Sequence, residues 1–307
     1  MGKIAFLFAG QGAQYVGMGK ELYENVQSSR AVFDKADEVL GFSISSICFE
    51  GSKEELDKTE NTQPAILATS IAALKALEEK GIKPDVAAGL SLGEYSALVC
   101  SGVLGFKDAV KLVKKRGKYM QEAVPEGIGT MAAIIGLNQE DIIKVCSDSS
   151  YAGIVEPSNF NCPGQIVIGG EVEAVKVACE KAKEAGAKRA IMLSVSGPFH
   201  TSMLVPAAEK LAIELQDIDM RDLTIPVITN VTGDYISDKT EVKELLRKQV
   251  MSSVMWENSI RKMLADGVDT FIEIGPGKAL SGFVKKIDKT AKIFNVENLE
   301  TLEKVSL

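Results

Sequence analysis

Gly89-Leu90-Ser91-Leu92-Gly93 constrains this chain more than any other stretch. A short apolar run, Val86-Ala87-Ala88, precedes it, and Glu94–Val99 follows with the residue types of a helix. The spacing predicts a strand, a sharp turn and a helix, with Ser91 at the apex. The flanking glycines let strand and helix cross closely, where a side chain would meet one or the other. The serine Oγ then projects at the helix N-terminus, where unpaired N–H groups favour developing negative charge. Such a serine suits attack on a carbonyl and a covalent acyl-enzyme. The same five-residue pattern also occurs in ordinary loops, so further residues must carry the chemistry.

A serine needs a base that titrates near neutrality. The chain has one histidine, His200, in 307 residues. It lies in Val195-Ser196-Gly197-Pro198-Phe199-His200, after the apolar run Ala190–Leu193. Gly-Pro breaks regular structure, so His200 is expected on a constrained turn just past a strand. Alone it reads as a surface or capping histidine; paired with the turn at Ser91 it reads as the general base.

The length allows one large domain, or a large and a small one. Hydrophobic content of 46% and charged content of 25% are ordinary for a soluble globular chain. The net charge is −7, with no basic tail, which argues against nucleic acid as a partner. No apolar stretch is long enough to span a bilayer, so no membrane association is expected. Met1–Gly10 reads as a first strand rather than a signal peptide. Five scattered cysteines, with no C-x-x-C and one histidine, form no zinc pattern, so no metal is expected. Free thiols suit a cytoplasmic location.

Short apolar strands alternate with amphipathic helices, which predicts an α/β fold with a largely parallel sheet. Strands are expected at Lys3–Phe8 and Val86–Leu90, and helices over Thr62–Lys80 and Phe106–Ala123. From Pro125 the pattern changes. Gly129–Gly136, Asn138–Ser147, Tyr151–Pro157, Gln165–Gly170, Glu171–Ala185 and Lys188–Val195 read in order as βαββαβ, with a turn at Asn161–Gly164. That is the ferredoxin-like order. Residues 125–196 are therefore expected to form a small inserted lobe, with 1–124 and 197–307 forming the large one. Beyond the insert, Ile225–Asn230 reads as a strand, Glu241–Val250 as a helix, and Phe271–Gly277 as a strand ending in a tight turn. The site is expected at the mouth between the lobes.

Acyl transfer needs two donors at the developing oxyanion. Leu92, the residue after the serine, supplies one N–H. Gln11, in the glycine-bracketed turn Gly10-Gln11-Gly12, is the candidate for the second, though those residues read equally well as a plain strand-end turn. Arg116 falls on the inward stripe of its helix with Ala109, Val113 and Met120. A cation there needs an anionic partner. The partner is either a carboxylate on the acyl group, held by two parallel hydrogen bonds, or a protein Asp or Glu. Lys111, Lys114, Lys115 and Lys118 lie on the solvated face.

Together these residues resemble a known family. The motifs are Phe8-Ala-Gly-Gln-Gly-Ala-Gln14, Thr62-Gln63-Pro64-Ala65, Gly89–Ser96, Arg116, Met131–Gly136, Asn161–Gln165, Gly197-Pro-Phe-His200 and Glu273–Gly277. In order, along essentially the whole chain, they resemble the malonyl-CoA:acyl-carrier-protein transacylases of fatty-acid synthesis. The resemblance implies an α/β-hydrolase-like large lobe carrying the ferredoxin-like one. It implies that Ser91 takes the malonyl group from coenzyme A and that His200 acts as base, then acid. Arg116 would hold the malonyl carboxylate, and Gln11 and Leu92 would form the oxyanion hole. A backbone carbonyl near a glutamine ahead of the last strand orients the family's histidine, and Gln249 matches that glutamine. The phosphopantetheine thiol of acyl carrier protein would then accept the acyl group. No bound cofactor is implied beyond malonyl-CoA as substrate. Phe199 matches malonyl-selecting members and would disfavour an α-methyl group. One departure stands: many members carry histidine where this chain has Leu90, which changes the packing behind the turn.

Three other functions share part of this pattern. A free-standing polyketide acyltransferase would use the same chemistry with another carrier. An esterase or thioesterase would share the serine turn, but has little use for an inward Arg116. A silent carrier-binding scaffold would not need Ser91, His200 and Arg116 together. Carrier proteins of this kind are acidic, so docking calls for a local basic patch. Lys285, Lys286 and Lys289, or the lysine face at 111–118, are candidates.

Overall fold

The computed structural model describes residues 2–195 and 197–306. Strands β1 (Lys3–Phe8), β2 (Val86–Gly89), β3 (Gly129–Ile135), β4 (Val155–Cys162), β5 (Gln165–Glu171), β6 (Arg189–Met192), β7 (Val227–Ile228), β8 (Val268–Ile274) and β9 (Lys292–Val296) divide between two sheets. The first has the order β7-β2-β1-β8-β9, and all its pairings are parallel. The second has the order β4-β5-β3-β6 and is antiparallel throughout. That is the ferredoxin-like arrangement, with the helices Gln139–Ser149 and Val172–Glu184 packed on one face.

Parallel strands are buried on both faces, and β1 shows why its sequence is apolar throughout. Phe6 and Phe8 point into the larger core, while Ala5 and Leu7 join Phe271, Trp256 and Ile260 on the opposite side. The helix Thr59–Glu79 is buried nearly all round, with Ile66, Leu67, Ile71, Leu74 and Leu77 at its centre. In the small sheet, Ala132, Ile134, Ile166 and Ile168 face the two helices. Met131 and Val167 face the main core together with Phe199. No helix among the described residues is long and apolar enough to cross a membrane.

β1 and the helix Phe106–Ala123 have the bounds read from the sequence. Several other bounds differ. The second strand of the small sheet is Val155–Cys162 rather than Tyr151–Pro157, and Tyr151 lies in a 3-10 turn. Its polar residues Ser158, Asn159 and Asn161 are buried and obscure the apolar alternation. The turn shortens accordingly, because Cys162 pairs with Gln165. The expected strand Ile225–Asn230 keeps only Val227–Ile228 in the ladder, since Thr229 and Asn230 turn their polar groups toward Glu94. Lys188–Val195 contracts to Arg189–Met192, and the insert's expected last residue, Ser196, lies outside the described residues. The long helix starts at Thr59, ahead of the expected Thr62, because its first turn is polar and the apolar spacing begins only at Ala65. β9 and the short helices over Lys20–Leu56 were not expected from apolar spacing.

Candidate active site

In the parallel register Phe8 lies beside Gly89 on one side and Ile274 on the other. Strands β1, β2, β7 and β8 therefore end at one edge, where ligands bind in open α/β sheets. That edge delivers the loop with Gln11, the turn with Ser91, Asn230, and Gly275-Pro276-Gly277.

The Ser91 turn is tight for reasons visible in its glycines. A Cβ on Gly89 would come within 1.9 Å of the Gly93 carbonyl carbon, and one on Gly93 within 2.0 Å of the Phe8 carbonyl oxygen. Ser91 sits at φ 54°, in the left-handed region. Its N–H donates to Asn230 Oδ1 at 2.6 Å, and Asn230 Nδ2 donates to the Gly89 carbonyl at 2.7 Å. One asparagine side chain thus bridges both sides of the turn.

His200 is also at positive φ, 63°, and is buried. Its Nδ1 lies 2.8 Å from the Gln249 main-chain oxygen, and its Nε2 lies 2.7 Å from Ser91 Oγ. A carbonyl oxygen only accepts, so Nδ1 carries the hydrogen. Nε2 is then left to accept from the serine hydroxyl. Burial, reinforced by the nearby Arg116 charge, pushes the imidazole pKa down to about 4. The ring is therefore neutral and able to accept at physiological pH.

Arg116 is fully buried. Its guanidinium donates to Gln63 Oε1 at 2.8 Å, Gln249 Oε1 at 3.0 Å and Ser91 Oγ at 3.2 Å, and it lies 5.3 Å from the centre of the Tyr95 ring. Among the described residues its buried Nε–H has no hydrogen-bond partner, and no carboxylate pairs with the guanidinium. Burial lowers its pKa from the ordinary value. The alternative of a protein ion pair, left open by the sequence, does not occur among these residues.

Two backbone donors are uncommitted here. At the start of the Gly93–Cys100 helix, the N–H groups of Gly93, Glu94 and Tyr95 turn back onto the carbonyls of Leu90, Ser91 and Leu92. The Ser91 N–H goes to Asn230. Among the described residues, neither the Leu92 nor the Gln11 N–H donates within the protein. The two loops touch, since a Cβ on Gly10 would lie 2.4 Å from the Leu90 carbonyl oxygen.

Phe199 is buried beside His200, and its carbonyl accepts from Ser158 Oγ at 2.7 Å. Leu90 packs against the cluster containing Val254 and Trp256. Glu273 is engaged in fold support: its carboxylate accepts from the N–H groups of Leu280 and Ser281.

The sequence reading gives no role to three residues of the site: Gln63 and Glu94, which lie within the motifs of the resemblance, and Asn230. Glu94 is fully buried, and an acidic residue opening the otherwise uncharged run Tyr95–Val99 is the signal that could have found it. Asn230 had no such signal, because its partners lie far away in the sequence.

Such a sheet and site define the acyl transferase domain, whose family matches residues 5–302. The chain is 55% identical over 304 residues to the malonyl CoA-acyl carrier protein transacylase of Bacillus subtilis (strain 168), covering 99% of this chain and 96% of that protein. The crystal structure of malonyl CoA-acyl carrier protein transacylase from Clostridium perfringens ATCC 13124 aligns with a TM-score of 0.96 at 54% identity, covering 98% of this chain and 95% of that one. A malonyl-transacylase in complex with a type II PKS acyl-carrier protein aligns with a TM-score of 0.95 at 43% identity, covering 98% of each chain. The chain belongs to this acyl transferase family, among the malonyl CoA-acyl carrier protein transacylases.

Proposed function

We propose that the protein moves a malonyl group from coenzyme A to the phosphopantetheine thiol of acyl carrier protein, supplying fatty-acid synthesis. One observation carries this reading. Ser91 Oγ lies within hydrogen-bond distance of both a neutral imidazole and a buried guanidinium that pairs directly with no carboxylate among the described residues.

Ser91 Oγ attacks the thioester carbonyl while His200 Nε2 takes its proton. The Gln249 carbonyl holds the imidazole in the required tautomer, in the place an Asp occupies in other serine enzymes. The Leu92 and Gln11 N–H groups stabilise the tetrahedral oxyanion. On collapse, His200 returns the proton to the leaving coenzyme A sulfur. The carrier thiol then attacks the ester, with the same groups in reverse roles. Arg116 receives the free malonyl carboxylate, and Phe199 limits substitution at the adjacent carbon. An esterase would gain little from Arg116.

We assign residues 125–196 to a small lobe inserted in a large one, 1–124 and 197–307. The separate sheet and separate apolar cluster within 129–192 support that division. We place the protein in the cytoplasm, which suits its five unpaired cysteines.

The test is a mass spectrum after incubation with malonyl-CoA or acetyl-CoA, then with holo acyl carrier protein. A malonyl adduct on the Ser91 peptide that passes to the carrier is expected, and Ser91→Ala should abolish it. Free malonate without transfer would point to a hydrolase instead. Arg116→Ala should slow malonyl transfer roughly a hundredfold and acetyl transfer far less. Equal losses would remove Arg116 from the role of carboxylate clamp.

A further inference from the structure

Two buried charges lie beneath Ser91 without touching: Arg116 and Glu94. The Gln249 side chain stands between them. Its Oε1 accepts from Arg116 at 3.0 Å. Its Nε2 donates to Glu94 Oε2 at 2.8 Å and to the Ser91 carbonyl at 2.9 Å. Turning this amide over would set NH2 against the guanidinium and an oxygen against two acceptors, so every contact would become repulsive.

Glu94 is anchored by donors alone. Besides Gln249, the Thr229 hydroxyl donates to Oε1 and the Asn230 N–H to Oε2, both at 2.9 Å. An acceptor-only carboxylate fits three donors. Burial raises its pKa, and these bonds oppose that rise. The anchoring also keeps the carboxylate off Arg116. A direct ion pair would stabilise the buried cation but would compete with an incoming carboxylate. With the amide between them, a negative charge is nearby and the guanidinium stays outside any ion pair among the described residues.

We propose that Glu94 is a positioning residue: through the Gln249 side chain it holds Arg116 in place and open to the carboxylate of the acyl group. This rests on the reading of Arg116 under the proposed function.

Two conservative variants separate reach from charge. Glu94→Asp keeps the charge and shortens the reach. Glu94→Gln keeps the reach and removes the charge; its oxygen takes the Asn230 and Gln249 donors while its NH2 turns to the Thr229 hydroxyl, which can accept. Acylation rates from malonyl-CoA and acetyl-CoA are measured on the full chain for both, beside wild type and Arg116→Ala. A thermal melt checks that each is folded. Glu94→Asp should lower the malonyl-to-acetyl ratio about tenfold or more, and Glu94→Gln should keep or raise it. A preserved ratio in Glu94→Asp would overturn the proposal. A selective malonyl loss in Glu94→Gln would also overturn it, in favour of the charge itself. Equal losses with both donors would make Glu94 a support of the Ser91 turn only. If Arg116→Ala collapses the ratio and Glu94→Asp does not, only the role of Glu94 fails. If Arg116→Ala leaves the ratio unchanged, the carboxylate reading fails first.

Discussion

Ser91 and His200 are the two non-glycine residues at positive φ among the described residues. Such conformations cost on the order of 1–3 kcal/mol each and persist only where neighbours hold them. Asn230 holds the first, and the Gln249 carbonyl holds the second. The same enclosure sets the protonation of His200. Because it is the only histidine in the chain, its imidazole signals in an NMR titration report it without ambiguity. The expected folded-state pKa is about 4, against roughly 6.5 in the unfolded chain. The unfolded state therefore binds the proton first as pH falls. The contribution of His200 to stability is complete above about pH 6.5 and is lost as pH drops toward about 4. An imidazole titrating near its ordinary value in the folded protein would show that the ring is wetter than its burial implies. Removing it by His200→Ala should slow acylation roughly a hundredfold.

At the scale of elements, the site depends on how closely β2, the Gly93–Cys100 helix and β1 approach one another. The Phe8 carbonyl oxygen would lie 2.0 Å from a Cβ on Gly93, and backbone cannot move aside as a flexible side chain can. Gly93→Ala should destabilise the protein by about 1–3 kcal/mol or more, read as a lower urea midpoint at unchanged slope. An unshifted midpoint would mean that the turn relaxes without cost. The elements that carry these contacts differ in how far their sequence reveals them. Phe106–Ala123 is legible to the residue, because one face is apolar and the other lysine-rich. β1 is legible because it is continuously apolar after Lys3 and runs into a glycine-bracketed turn. β7 is not: two residues pair in the ladder, and the polar residues after it are ordered by Glu94, which comes from the remote Gly93–Cys100 helix.

Across the whole molecule, the parallel sheet presents Ser91 and the antiparallel sheet steadies the segment carrying His200. Ser158 of β4 donates to the Phe199 carbonyl, and Glu156 accepts from the Ser202 N–H and hydroxyl. A Cβ on Gly129 of β3 would strike the Pro198 ring at 2.4 Å. Ser158→Ala leaves that buried carbonyl unpaired and should cost about 1–3 kcal/mol of stability. It should slow malonyl and acetyl transfer alike, in contrast to Arg116→Ala; a selective loss of one donor would place Ser158 nearer the acyl group. Of the two candidate basic patches, the face at 111–118 is largely neutralised, since Lys114, Lys115 and Lys118 pair with Glu60, Glu214 and Glu122. Lys285 and Lys289 are exposed and unpaired among the described residues. The sequence by itself determined the reaction class and the α/β architecture, and it singled out Ser91, His200 and Arg116, which the fold brings within hydrogen-bond distance of one another through Ser91 Oγ. It could do so because glycine spacing, a single histidine and a charge on an apolar stripe are local patterns. Only the tertiary structure decided what surrounds Arg116, which N–H groups stay uncommitted, and that Asn230, Gln63 and Glu94 belong to the site. Those contacts join residues far apart in the chain, and no local spacing encodes which remote partners the packing brings together.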